Sequence, residues 1–502
     1  MAKGKDNGKG KGKGKAKVED VISVEQESVI PVPKSDLITA LTGLIRPEQV
    51  VQEDPAEFHK LCKRIEYTIR AWYLMQFEEM MQLYLLFDPI DGNQRLEQRK
   101  LSREKIDTLE LDFLEHFFKV MEKSNFKLAT DEEIEAALSE NYLLNLPIEV
   151  DESKLDNKLL QRYFQKHPCE NLPRFSEKYI IFHRGVGTDH TTGYFFMEKL
   201  DTIITSIWTK FLRATRLERF ISKRSSNILR KDTEETTRII DDSKELFKRK
   251  RIENMEFRTQ DLLGKIEIQE PTFKRIIVVY SRRASTKDKI DRGIYVKHFR
   301  NIPMADLELV LPEKKNPSLT PRDWVSFLIT MVLGLITLIG SFKMPKAEIR
   351  VVLTIIFGLI GYCAKIYFTF QQDIATYQNL ITKSMFDKQL DTGKATLLHL
   401  CDDVIQQEVK EVIVSYFILM RERELTKEAL DRHCEKLITE EFGKNCNFEV
   451  EDAIRKLEKL GIVTRSDEMI RAVPLKQAND IIGVTTEELV LMKAKQAQAS
   501  SC

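Results

Sequence analysis

Apolar residues recur at three- and four-residue steps between Pro55 and about Phe87: Phe58, Leu61, Cys62, Ile65, Ile69, Trp72, Tyr73, Phe77, Met80, Met81 and Tyr84. This is the spacing of one helical face, so the stripe reads as core and not as a cofactor box. Before it, Ser28–Leu37 reads as an extended lead-in to a short helix from Ser35. After it, a helix is predicted from about Ser102 to Lys123, with Leu109, Phe113, Phe117, Val120 and Met121 inward. Thr130-Asp-Glu-Glu133 is a capping box that opens another. The period changes near Phe175. Residues 177–187, 274–283 and 294–300 read as β-strands rich in branched and aromatic side chains.

Two runs have a different character. Trp324–Phe342 holds 19 residues without a charge, and Val351–Phe370 is apolar but for Lys365. At about 1.5 Å per residue, 19 residues roughly cover a hydrocarbon core of about 30 Å. The pair predicts a transmembrane hairpin, with Trp324, Lys343, Lys346 and Lys365 at the membrane interface. Past the second run, Leu397, Leu398, Cys401, Val404, Ile405, Val409, Val412, Ile413, Tyr416, Phe417 and Met420 are again helical in period. A second helix is capped by Thr426 and stops near Gly443, and a third runs from Val450 to Leu460 and stops at Gly461. Strands 462–465 and 470–473 follow, which together gives the outline of a winged helix.

The expected fold class is therefore α+β, mainly helical. The expected organisation is a disordered Lys/Gly-rich tail (1–28), a soluble α+β domain (29–318), the transmembrane hairpin (324–370), a helical linker (371–394), a winged-helix-like domain (395–485) and a disordered tail (486–502). The first 17 residues alone hold seven lysines and cannot bury apolar surface. The hairpin implies a multi-pass protein with the lipid bilayer as a partner and both soluble regions on one side.

Charge and cysteine usage narrow the chemistry. The net charge of the 502 residues is +1, so no global field selects nucleic acid. The third helix of the C-terminal module carries Glu449, Glu451, Asp452 and Glu458 against Arg455, Lys456 and Lys459, whereas a groove-reading helix needs a basic face. Protein partners are expected in place of specific nucleic acid. The basic stretch from Arg213 to Arg251 suits contact with anionic lipid. Seven cysteines are scattered with no CxxC pair, which excludes a clustered disulfide or zinc framework.

The most site-like stretch is His183-Arg-Gly-Val-Gly-Thr-Asp-His190. Gly185 and Gly187 would free backbone N–H groups, Arg184 could pair with phosphate, and Asp189, His190 and, further on, Glu198 could serve acid–base chemistry. The candidate ligand-binding residues are His183, Arg184, Gly185, Gly187, Asp189 and His190. No Gly-Lys-Ser/Thr follows, and no HExxH, GxSxG or kinase signature occurs. No catalytic residue, metal ligand or cofactor is predicted.

Three segments together resemble a known family. They are the Ile30-Pro-Val-Pro-Lys-Ser-Asp-Leu37 lead-in, Phe182-His-Arg-Gly-Val-Gly187, and Ile302-Pro-Met-Ala-Asp-Leu-Glu-Leu-Val-Leu-Pro312 ahead of the apolar runs. The chain resembles the transmembrane protein 143 family of plants and animals over roughly residues 29 to 480. The resemblance implies an organelle membrane, mitochondrial or plastid, and no activity. Some plant relatives carry an aminopeptidase label, for which these residues offer no metal-ligand set. The function expected is a membrane-anchored, non-enzymatic interaction or scaffold protein. The alternatives are an enzyme or phosphate-type ligand binder using residues 183–198, and an oligomeric transporter or channel.

Overall fold

The computed structural model describes residues 21–25, 27–45, 54–131, 150–169, 172–194, 244–248, 264–283, 292–315, 349–466 and 468–499, with the single positions 134, 199 and 336. The elements run β1 (Val21–Glu25), α1 (Lys34–Leu44), α2 (Pro55–Phe87), α3 (Gly92–Arg99), α4 (Arg103–Lys123), β2 (Lys127–Leu128), α5 (Lys158–Lys166), β3 (Tyr179–Gly193), β4 (Lys244–Lys248) and β5 (Ile266–Ser281). They continue with β6 (Ile294–Pro303), α6 (Ile349–Lys388), β7 (Gln389–Thr392), α7 (Lys394–Glu422), β8 (Glu424–Thr426), α8 (Lys427–Phe442), α9 (Val450–Leu460), β9 (Val463–Ser466), β10 (Met469–Ala472), α10 (Leu475–Ile482) and α11 (Thr486–Ala499). The described residues are α+β and 61% helical.

Helix boundaries follow local chemistry. Asp54 accepts a hydrogen bond from the Ala56 N–H at 2.9 Å, and Pro55 fills the first turn of α2. Ser102 caps α4 and Thr426 caps α8 in the same way. Gly443 and Gly461 end α8 and α9 with φ of 60° and 72°, the left-handed cap glycine favours.

The chain divides into two units. One comprises residues 1–26 and 186–272; the other comprises 27–185 and 273–502. In the smaller unit β1 pairs antiparallel with β4, Val21 opposite Lys248. In the larger unit α2, α4, α7 and α9 enclose one apolar core, with Phe58 and Phe417 edge-to-face at 5.7 Å and Phe118 stacked on Tyr163 at 4.6 Å. The five-stranded sheet has the order β2-β3-β5-β6-β7, and a three-stranded sheet, β8-β10-β9, closes on α7, α8 and α9.

The transmembrane hairpin is corrected here. No helix among the described residues is long and apolar enough to cross a membrane. The first predicted run, Trp324–Phe342, lies outside the described residues but for Ile336, as do the expected interface residues Trp324, Lys343 and Lys346. The second run is part of α6, but its charge-free stretch, Val351–Ala364, is 14 residues long, about 21 Å of helix against a core of about 30 Å. Lys365 then stands exposed, and Gln371-Gln-Asp373 continues the same helix. The multi-pass architecture and the multi-pass membrane location are corrected with it. Domain edges shift as well. Val21–Glu25 is a strand inside the expected tail, α11 occupies most of the expected C-terminal tail, and the 371–394 linker is the end of α6 plus β7. The basic stretch from Arg213 to Arg251 lies outside the described residues except for β4.

Candidate functional site

Residues 183–190, expected to form a glycine turn, lie within the continuous strand β3. His183 is buried with its ring 4.8 Å from that of Phe273. Gly185 has φ +80° and sits where a Cβ would come within 2.9 Å of the Lys274 side chain, so the glycine serves conformation and close packing. Gly187, Asp189 and His190 belong to the smaller unit, where His190 Nδ1 lies 3.1 Å from Glu267 Oε1. Of the six candidates, Arg184 alone enters a dense polar cluster. Its guanidinium donates to the Ser124 carbonyl at 2.9 Å and to Asp403 Oδ2 at 2.7 Å, and packs 4.6 Å over the Phe126 ring.

That cluster sits where β6, β7 and the first turns of α7 meet. The β6–β7 register sets His298 directly opposite Asp391. Gly393, with φ +56°, ends β7, donates its N–H to the Val296 carbonyl at 2.7 Å and lets α7 start at once. A Cβ on Gly393 would lie 2.8 Å from Tyr84 Oη. The tight reversal brings His399 back beside Asp391, Nδ1 to Oδ2 at 3.2 Å, while His298 Nδ1 lies 3.8 Å from the same oxygen. The two imidazoles stand edge-to-face at 5.4 Å. One helical turn on, Asp403 takes Arg184 on Oδ2 together with Arg275, each at 2.7 Å. Arg275 Nη1 also donates to His399 Nε2 at 2.9 Å. Arginine can only donate, so Nε2 is the acceptor and the ring proton of His399 faces Asp391.

The electrostatics are uneven. Burial would raise the Asp403 carboxyl, but Arg184 and Arg275 outweigh it and hold it below the usual carboxylate range. Burial, reinforced by Arg275 and His399, pushes the His298 imidazole down to about 3, so it is neutral. His298 is fully buried, and neither ring nitrogen makes a hydrogen bond. Asp391 and His399 remain 27% and 35% exposed. His298, Asp391, His399 and Asp403 were not legible as a site in the sequence. The signal available was the Asp391-Thr-Gly393 reversal followed by His399 and Asp403 four apart on one helical face.

A second buried polar cluster lies further along α7. Lys456 of α9 is ion-paired with Glu408, and with Glu411 at 3.3 Å. Tyr73 donates to Glu408 Oε1 at 2.8 Å, and Gln407 to Glu411 Oε1 at 2.8 Å. Burial raises the Glu411 carboxyl and lowers the Lys456 ammonium to about 7. Each charged group already has a partner from a neighbouring helix, so the cluster is a tie between α2, α7 and α9.

α6 carries exposed large apolar side chains. Leu353, Phe357, Ile360, Tyr367 and Phe368 are 45–69% exposed. Leu353, Phe357, Ile360, Ala364, Tyr367, Gln371, Ile374, Gln378 and Ile381 follow one another at alternating steps of four and three residues. The third helix of the C-terminal module, α9, turns Glu451, Arg455, Glu458 and Lys459 outward, a face of mixed charge.

A family profile described as "Protein of unknown function (DUF3754)" matches residues 273–395. The matched span contains His298 and Asp391 and stops short of His399. No curated protein and no solved structure matches the chain.

Proposed function

We propose that this chain is an interaction and scaffold protein that assembles with a second copy of itself along α6. The observation that carries the reading is the heptad stripe from Leu353 to Ile381, its upper part large, apolar and exposed. Alternating four- and three-residue steps over about four heptads are the pattern of a two-helix seam, and the 29 residues from Leu353 to Ile381 offer about 43 Å of it. In one alternate set of positions the residues are Leu353, Ile360, Tyr367, Ile374 and Ile381; in the other, Gln371 and Gln378 follow Phe357 and Ala364. Gln371 at such a position suits a second identical helix, because two amides facing each other across the seam satisfy one another and fix the register. Exposed apolar runs of this size on a helix otherwise mark an uncovered interaction surface.

The C-terminal part of the larger unit runs α7, β8, α8, α9, β9 and β10. The alternation of Glu451 and Glu458 with Arg455 and Lys459 on α9 favours a protein partner over a nucleic acid for that part. Sedimentation velocity on the full chain tests the self-assembly. The wild-type chain is expected to sediment as a dimer, and the Phe357→Glu/Ile360→Glu chain as a monomer with unchanged circular dichroism. A wild-type monomer, or a dimer that survives both substitutions, ends the proposal.

A further inference from the structure

We propose that His298, Asp391 and His399 bind one divalent first-row transition-metal ion in a site open to solvent on one side. The inference is independent of self-assembly. The His298 imidazole is fully buried and leaves both ring nitrogens without a hydrogen bond. A buried polar group in that condition is costly unless something else satisfies it. The ring is aimed at Asp391 and His399, and one ligand atom from each of the three residues lies within 4.8 Å of the other two.

The spacing fits a small cation. With metal–ligand distances of about 2.1 Å, neighbouring ligand atoms are about 3.0 Å apart at right angles and about 3.4 Å apart in a tetrahedron. The His399–Asp391 separation of 3.2 Å is already in that range, and the His298–Asp391 separation of 3.8 Å reaches it by a small rotation of either side chain. Two imidazoles and one carboxylate are the donor set that suits iron(II), manganese(II), cobalt(II) or zinc(II), whereas calcium and magnesium favour all-oxygen sites. His298 closes the floor, and the exposed edges of Asp391 and His399 leave the remaining coordination positions to water or another small ligand.

The surroundings support the same assignment. Asp403 Oδ1 lies 3.9 Å from His399 Nε2, one helical turn away, on the side of the ring opposite Asp391. When Nδ1 of His399 is on the metal, Nε2 carries the proton and turns from Arg275 to Asp403. This is the carboxylate–histidine–metal arrangement that orients metal-bound imidazoles. Arg275 keeps its separate bond to Asp403 Oδ2. Charges balance locally before the ion arrives, since Arg184 and Arg275 offset Asp403 and Asp391. Affinity then rests on the nitrogen donors, which again selects transition metals.

The test uses the untagged full chain, freed of metal by chelator and titrated with cobalt(II) alone. The expected result is saturable binding of about one equivalent, with a visible d–d band and two paramagnetically shifted imidazole N–H resonances. Asp391→Asn and His399→Gln should each weaken binding at least tenfold. Both positions are partly exposed, and circular dichroism checks that the variants fold. Should either variant fail to fold, the shifted resonances of the wild-type chain decide alone. No saturable binding, binding without imidazole signals, or binding unchanged in both folded variants overturns the proposal.

Discussion

A partly buried carboxylate without a hydrogen-bond donor is held at a cost, and Asp431 on α8 is such a group, its Oδ1 unsatisfied. Burial, with Glu435 adding to it, pushes its carboxyl up to about 6. The folded protein thus holds this proton more tightly than the unfolded chain, whose aspartates titrate near 3.9. As pH rises from about 4 to about 6, the unfolded state releases its proton first, so stability falls across that window. Asp431→Asn should flatten this part of the melting temperature–pH curve and raise the melting temperature at pH 7; an unchanged curve would show that Asp431 is solvated. Asp403 makes the opposite case among the described residues. It is more buried in the fold, yet two arginines hold it ionised, which shows that pairing, not depth, decides the state of these acids.

At the scale of elements, one reversal decides whether β7 and α7 bring their polar residues together. Gly393 needs a left-handed φ of +56°, and its missing Cβ leaves room for Tyr84 Oη. Gly393→Ala should therefore destabilise the fold by about 1–3 kcal/mol in chemical denaturation. Adding Tyr84→Phe should relieve the clash but not the backbone strain, so rescue should be partial. Full rescue would place the whole cost in the clash. The long helices were legible because their stripes bury one face: α2 begins at Pro55 and ends at Phe87, and α8 and α9 stop at their glycines, as the sequence suggests. The short strands were not. Gln389–Thr392 has no alternation of its own and exists because β6 offers it an edge, and β8 is three residues held by β10. With β7 unseen, Asp391 could not be set against His298, and the histidine–aspartate cluster stayed hidden. The apolar run in α6 misled in the other direction: Val351–Phe370 reads as a span with Lys365 at the interface, yet only 14 of its residues precede that charge and no described helix is long and apolar enough to cross a membrane.

At the scale of the larger unit, distant parts of the chain are sewn together through backbone groups that no side-chain pattern announces. The lead-in Ser28–Val32 lies along α7. Gln407 accepts from the Ile30 N–H at 3.2 Å and donates to the Ser28 carbonyl at 3.3 Å, and Lys410 donates to the Ile30 carbonyl at 2.6 Å. Asn447 donates its N–H to the Glu27 carbonyl at 2.8 Å, and Ile30 and Val32 bury their side chains in the shared core. The order Ile-Pro-Val is readable as extended, but its acceptance by residues almost 380 positions away is a property of the fold. Losing this segment would strip two apolar side chains from the core, about 1.5–3 kcal/mol each. It would also leave Lys410 and Gln407 short of partners, about 1–3 kcal/mol per buried group. A chain beginning at Lys34 should thus melt well below one beginning at Glu27, and the amides of Gln407 to Glu411 should exchange faster with solvent deuterium. Both chains lack residues 1–26, so their comparison isolates residues 27–33 as the strap along α7. Equal exchange in the two chains would mean that α7 holds its place without the strap, and that the lead-in is a tether, not part of the core.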